Sequence, residues 1–107
     1  MKAAKKLLQD MLQAIESIES YMVISYAEFL DNEKTQDAIM FNLIIIGEAA
    51  NQIPREFQES HSEIPWSSII GTRNLIVHGY DQVKLQIVWD IIQKDLQSLK
   101  SSLVKLI

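Results

Sequence analysis

The chain is expected to be all-α, a compact bundle of four main helices plus one short helix, on three observations. Three long stretches carry apolar residues in steps of three and four, none alternates with the period of a strand, and proline and capping residues fall between the stretches. In 107 residues this amounts to one domain spanning 1–107. The first stripe is Leu8, Met11, Ile15, Ile18 and Met22. Asp31 or Asn32 can accept hydrogen bonds from the free amides that begin the second helix, whose stripe is Ile39, Leu43, Ile46, Ala50 and Ile53. Pro54 ends it, because proline cannot donate to the preceding turn and restricts the residue before it. Residues 55–61 form the short helix. Pro65 suits the first turn of a further helix through Trp66, Ile69 and Ile70 to about Val77, closed by Gly79 in the left-handed conformation. The last helix starts near Val83, and its stripe runs Leu85, Val88, Ile92, Leu96, Leu99, Leu103, Leu106.

Several apolar residues lie off these stripes: Ile44, Ile45, Ile87, Ile91, Val104 and Ile107. Either the buried face is wide, or a second apolar face joins two copies in a homodimer; the dimer is the expectation, since a helix apolar on more than one side must be covered. Gly47 costs about 1 kcal/mol inside a helix relative to alanine, so close approach of a neighbouring helix is expected at the small-residue patch IGEAA. Glu48 beside it is either a solvated helix residue or a polar group aimed at a site.

Composition narrows the function. Cysteine is absent, which excludes disulfides and thiolate metal sites. Apolar runs such as Leu43–Ile46 are far too short to span a bilayer, and the lysine-bearing start is interrupted by Gln9 and Asp10, so neither a membrane span nor a signal peptide is expected and a cytoplasmic location follows by default. The net charge of −4 argues mildly against a nucleic-acid partner. Its distribution softens the argument, because most acid lies between Asp10 and Glu63, opposed there by Lys34 and Arg55 alone, and the flanks are net basic. Whether Lys94, Lys100 and Lys105 of the last helix form a solvated face or guide a polyanion is open.

Chemistry concentrates at Arg73, Asn74, His78 and Tyr80. His61 and His78 are the only imidazoles, far apart and without a paired-carboxylate pattern, so no metal and no cofactor are expected. There is no glycine-rich phosphate loop and no serine in a nucleophile-elbow setting. A guanidinium suits phosphate and an imidazole suits proton transfer near neutral pH. Metal-free RNA cleavage needs little more: a base for the ribose 2′-hydroxyl, a cation for charge developing on the phosphate, and an acid for the leaving 5′-oxygen. Arg73 and His78 stand about 140° apart around a helix and about 7.5 Å along it, so they do not share a face; the arginine would have to reach round, or a second copy would have to complete the site. The plainer alternative is a surface ion pair and a histidine capping a helix end. Trp66 and Trp89 are expected as core anchors, and His61 as solvated.

The segments FLDNEKTQDAIMFNLIIIGEAANQIP and IPWSSIIGTRNLIVHGYDQVKLQIVWDIIQKDL change those odds. Over roughly residues 29–99 the chain resembles the HepT-like toxins of the HEPN superfamily, and the signature arginine, four residues, histidine, any residue, tyrosine is intact at Arg73, His78 and Tyr80, with the favoured polar residue at Asn74. The resemblance implies a homodimeric helical fold and metal-independent endoribonuclease activity as the toxin of a toxin–antitoxin pair. Arg73 and His78 are then the catalytic pair, and Asn74, Tyr80 and Glu48 the supporting residues. It further implies a nucleotidyltransferase antitoxin of the MNT type that silences the toxin by transferring AMP to Tyr80; ATP is consumed by that partner alone. Added phosphate at Tyr80 would repel RNA and pair with Arg73. The alternative from a different class is a non-catalytic module that binds nucleotide or docks the partner; a purely structural helical dimer is the third.

Overall fold

The structure, a computed structural model, describes residues 2–21 and 25–107. Helix α1 (Lys2–Tyr21) buries Leu8, Met11, Ile15 and Ile18, the predicted stripe; Met22, its expected last member, lies outside the described residues. Helix α2 (Tyr26–Leu30) follows, then α3 (Glu33–Gln52), α4 (Arg55–Ser60) and α5 (Trp66–Gly79). A 3₁₀ turn (Tyr80–Gln82) leads to α6 (Leu85–Asp90), which continues through a π turn (Ile91–Asp95) into α7 (Leu96–Leu106) with helical dihedrals at both junctions. Those last segments form one rod. Among the described residues there is no strand, so the all-α expectation holds.

Helix α3 is central, with α1 along one side and α5 along the other, while α7 packs on α1. That position explains why α3 is apolar on several sides: the stripe Ile39, Leu43, Ile46, Ala50 and Ile53 is buried, and Ile44 and Ile45, off that stripe, are half-buried against the core. Burial of one such side chain is worth about 1.5–3 kcal/mol. Asn32 caps α3, its Oδ1 accepting from the Thr35 amide at 3.0 Å.

Three details depart from expectation. The additional helix α2 is started by a short capping sequence in which the Ser25 hydroxyl accepts from the Glu28 amide at 3.2 Å. Phe29, fully buried, packs its ring 5.4 Å from that of Trp89, and buried Gln36 of α3 donates to the carbonyls of Phe29 and Leu30 at 2.8 and 3.1 Å. Gly79 is not left-handed: its φ is −142°, α5 reaches it, and the chain tightens into the 3₁₀ turn instead, so the last helix begins at Leu85 rather than near Val83. His61 is not simply solvated, since its ring lies 4.4 Å from that of Phe57 and its Nδ1 is 3.6 Å from Glu63.

The joint between α3, α4 and α5 positions the functional residues. Gln58 of α4 donates through Nε2 to the carbonyls of Ala50 and Ile53, both at 3.1 Å, satisfying the open end of α3. Trp66, buried at the start of α5, donates through Nε1 to the carbonyls of Gln58 and His61 at 3.1 and 3.0 Å. Trp66 is a core anchor, as expected, and Trp89 is half-buried against the core beside Tyr26 and Phe29. No helix among the described residues is long and apolar enough to cross a membrane.

Candidate active site

The close contact of α3 with α5 is possible because residue 47 has no side chain. A Cβ on Gly47 would lie 2.1 Å from the Cβ of Arg73, 2.8 Å from its Cγ and 3.2 Å from the Ile69 carbonyl oxygen. The stem of Arg73 occupies the space that any other residue at 47 would fill. The small-residue patch predicts a helix approach, and the structure shows that the approaching residue is the signature arginine.

Two cross-links then join the helices. Near Gly47, Arg73 Nε donates to Glu48 Oε1 at 2.8 Å, Nη2 contacts the same oxygen, and Nη1 donates to Asn74 Oδ1 at 2.7 Å. Glu48 is therefore the polar group facing the arginine, the second of its two possible readings. At the other end, the Tyr80 hydroxyl donates to the Asp37 carboxylate. Asp37, Phe41, Ile44 and Glu48 recur in steps of four, three and four along α3, and Arg73, Val77 and Tyr80 in steps of four and three from α5 into the turn. The two cross-links therefore frame one strip of the surface. Between them lie Phe41, 63% exposed, and Val77, 43% exposed.

His78 stands apart from this network. It is exposed on the last turn of α5, and among the described residues its side chain makes no hydrogen bond or ion pair. Arg73 does not reach round to it; the guanidinium turns toward α3 instead. One chain thus brings Arg73, Asn74 and Glu48 together, and leaves the imidazole presented to solvent. Asp37 is absent from any reading of the sequence, because nothing in one chain's pattern pairs residues 43 positions apart; only its helical spacing from Glu48 hints at it. Among the described residues no three imidazole or carboxylate side chains converge on one point.

The clasp at Asp37 holds the Tyr80 phenol in its neutral form. Donating to a carboxylate, partial burial, and the negative charges of Asp37 and Glu33 together push its pKa up from the usual 10.0 to about 12. Tyr80 therefore favours the folded state below the ordinary phenol range, and that contribution is lost as pH rises from about 10 through about 12. In protein carrying Tyr21→Phe and Tyr26→Phe, so that Tyr80 alone titrates, Asp37→Asn is expected to lower the tyrosinate midpoint toward the usual value. An unchanged midpoint would show that the clasp does not form in solution.

The family described as Ribonuclease HepT-like matches residues 11–106. The chain is 38% identical over 106 residues to a protein of Thermococcus cleftensis named probable ribonuclease HepT, covering 98% of this chain and 96% of that one. It is 34% identical over 108 residues to a protein of Caldanaerobacter subterraneus subsp. tengcongensis named putative RNase, covering 100% of this chain and 96% of the relative. No solved structure matches it. The intact Arg73, His78 and Tyr80 signature and a match that runs almost from end to end make the same statement: the chain belongs to the HepT-like ribonuclease family.

Proposed function

We propose that the protein is an RNA-cleaving toxin whose active unit is a homodimer and whose chemistry needs no metal. The observation that carries this reading is the fixed guanidinium of Arg73, oriented by Glu48 and Asn74 on the helix that also presents an unengaged His78. His78 takes the proton of a ribose 2′-hydroxyl, and the 2′-oxygen attacks the adjacent phosphorus. Arg73 stabilises the added negative charge on the phosphate oxygens. The P–O5′ bond breaks as the leaving oxygen is protonated, giving a 2′,3′-cyclic phosphate and a free 5′-hydroxyl. Each chain offers one exposed imidazole at this site, and base and acid are two roles; the His78 of a second copy supplies the other.

The framed strip supports the dimer. Phe41 and Val77 are exposed between Arg73 and Tyr80, and apolar area of that kind beside a polar cluster suits a face that a second copy covers. Tyr80 at the edge is the regulatory point. A nucleotidyltransferase antitoxin transfers AMP from ATP to its oxygen: the O–Pα bond forms, pyrophosphate leaves, and the phenolic proton passes to Asp37, which already accepts its hydrogen bond. The new phosphate then competes with RNA for Arg73.

The test is incubation of the purified protein with single-stranded RNA in excess EDTA, before and after treatment with a partner nucleotidyltransferase and ATP. Cleavage is expected before treatment, and its loss together with one AMP mass on Tyr80 after. Intact RNA in EDTA that is cut once magnesium is restored would overturn the metal-free chemistry; cleavage that survives full modification would overturn Tyr80 as the switch.

A further inference from the structure

The chain has two arginines, and the mechanism uses one. The other, Arg55, opens onto a hollow of about 460 Å³ at the joint of α3, α4 and α5. Its walls are Asn51, Arg55, Ser67, Gly71 and Asn74, and Ile53 and Ile70 lie beneath. The size falls in the roughly 300–1,000 Å³ range of small-ligand sites. Asn74 belongs to this hollow and to the catalytic network at once: its Oδ1 accepts from Arg73, which leaves its amide N–H groups as donors toward the hollow. Among the described residues Arg55 has no ion-pair partner. It is exposed, as are Asn51 and Ser67. Gln58, which also lines the hollow, has its Nε2 committed to the carbonyls of Ala50 and Ile53.

We infer that this hollow is an RNA subsite, holding the nucleotide one step beyond the two that share the scissile phosphate, with Arg55 on that nucleotide's phosphate. The inference rests on the ribonuclease reading above. Asn74 touches Arg73 and lines the hollow that Arg55 also lines, so a strand whose phosphate lies on Arg73 can continue past Asn74 to Arg55. The guanidinium fork fits phosphate oxygens. Asn51, Ser67 and Asn74 supply the hydrogen-bonding groups that read sugar and base edges in unpaired RNA, and the isoleucine floor takes an apolar base face. Such a site binds without chemistry, so it strengthens ground state and transition state alike.

Gly71 offers a way to fill the hollow without touching the fold. A Cβ at Gly71 meets nothing within 4 Å, and replacing glycine in an exposed helix interior favours the helix. Gly71→Phe is therefore expected to melt no lower than the wild type while blocking the subsite.

The experiment compares wild type, Arg55→Ala, Arg55→Lys and Gly71→Phe on two substrates, a mixed-sequence single-stranded RNA and a dinucleoside monophosphate, which has no nucleotide beyond the pair that shares the scissile phosphate. On the longer RNA, Arg55→Ala is expected to raise KM about tenfold or more with kcat little changed, and Gly71→Phe to do the same. Both are expected to match wild type on the dinucleotide. Binding of the labelled longer RNA, measured in a His78→Ala background, should lose about 0.7 from the slope of log affinity against log salt when Arg55 becomes alanine and keep it when Arg55 becomes lysine. Variants that treat the longer RNA as wild type does would overturn the subsite and leave the ribonuclease reading standing. An Arg55→Ala effect equal on both substrates would overturn it too. A wild type that neither binds nor cleaves RNA would overturn both.

Discussion

Changing His78 to alanine is expected to lower the rate of RNA cleavage by about 10²–10⁴-fold and to leave the fold intact. The imidazole is exposed and has no side-chain partner among the described residues, so its truncation opens no cavity and strands no polar group. What it removes locally is its interaction with the C-terminal end of α5, worth about 0.3–1 kcal/mol. The rival explanation of His78, a helix cap without chemistry, predicts the reverse: that small loss of stability and undiminished cleavage. Measuring thermal melting and turnover on the same preparation separates the two. Arg73→Ala is expected to abolish cleavage as well, but it tests the mechanism less cleanly. It frees Glu48 and Asn74 from their hydrogen bonds and empties the space against Gly47. Arg73→Lys keeps the charge and loses the fork that meets Glu48 and Asn74 together, so it is expected to fall between wild type and alanine.

The long helices were legible because burial on one face forces a period of three to four on the sequence, and α1, α3 and the α6–α7 rod follow it, with Leu85 and Leu106 half-buried at the two ends of the rod. Punctuation was legible where it is chemical, as at the Asn32 cap and Pro54. Helix α2 has five residues, too few to show a period, and its one signal is Ser25 with Glu28 three positions on. The π turn at Ile91–Asp95 has no such mark, since one extra residue in a turn changes dihedrals by little. At the site, the local signature named Arg73, Asn74, His78 and Tyr80 without saying what they touch. Contacts across helices depend on register, and one chain does not encode register in any local pattern. Hence Glu48 was half legible, through the glycine beside it, and Asp37 was not.

Gly47→Val is expected to damage stability and activity together, and the sizes of the competing effects decide this. Helix propensity alone favours the substitution slightly, by some tenths of a kcal/mol over glycine. Against that stands a Cβ placed 2.1 Å from the Arg73 Cβ and 3.2 Å from the Ile69 carbonyl oxygen. Neither neighbour is the loose end of a side chain: one is the root of Arg73, the other is backbone. Relief requires α3 and α5 to part, and overpacking of this kind costs about 1–3 kcal/mol or more. Alanine brings the same Cβ and is expected to show the same sign with a smaller loss; valine adds two methyls to it. Parting the helices also moves Arg73 relative to Glu48, which sits on the element being displaced. A guanidinium shifted by about 1 Å loses on the order of 10²-fold in rate. Cleavage should therefore fall further than the melting temperature predicts, and it should stay low at temperatures where the variant is fully folded. A variant that melts early yet cleaves at the wild-type rate when folded would separate the packing role of Gly47 from the placement of Arg73. A variant that keeps both properties would mean that α3 and α5 do not meet at this glycine.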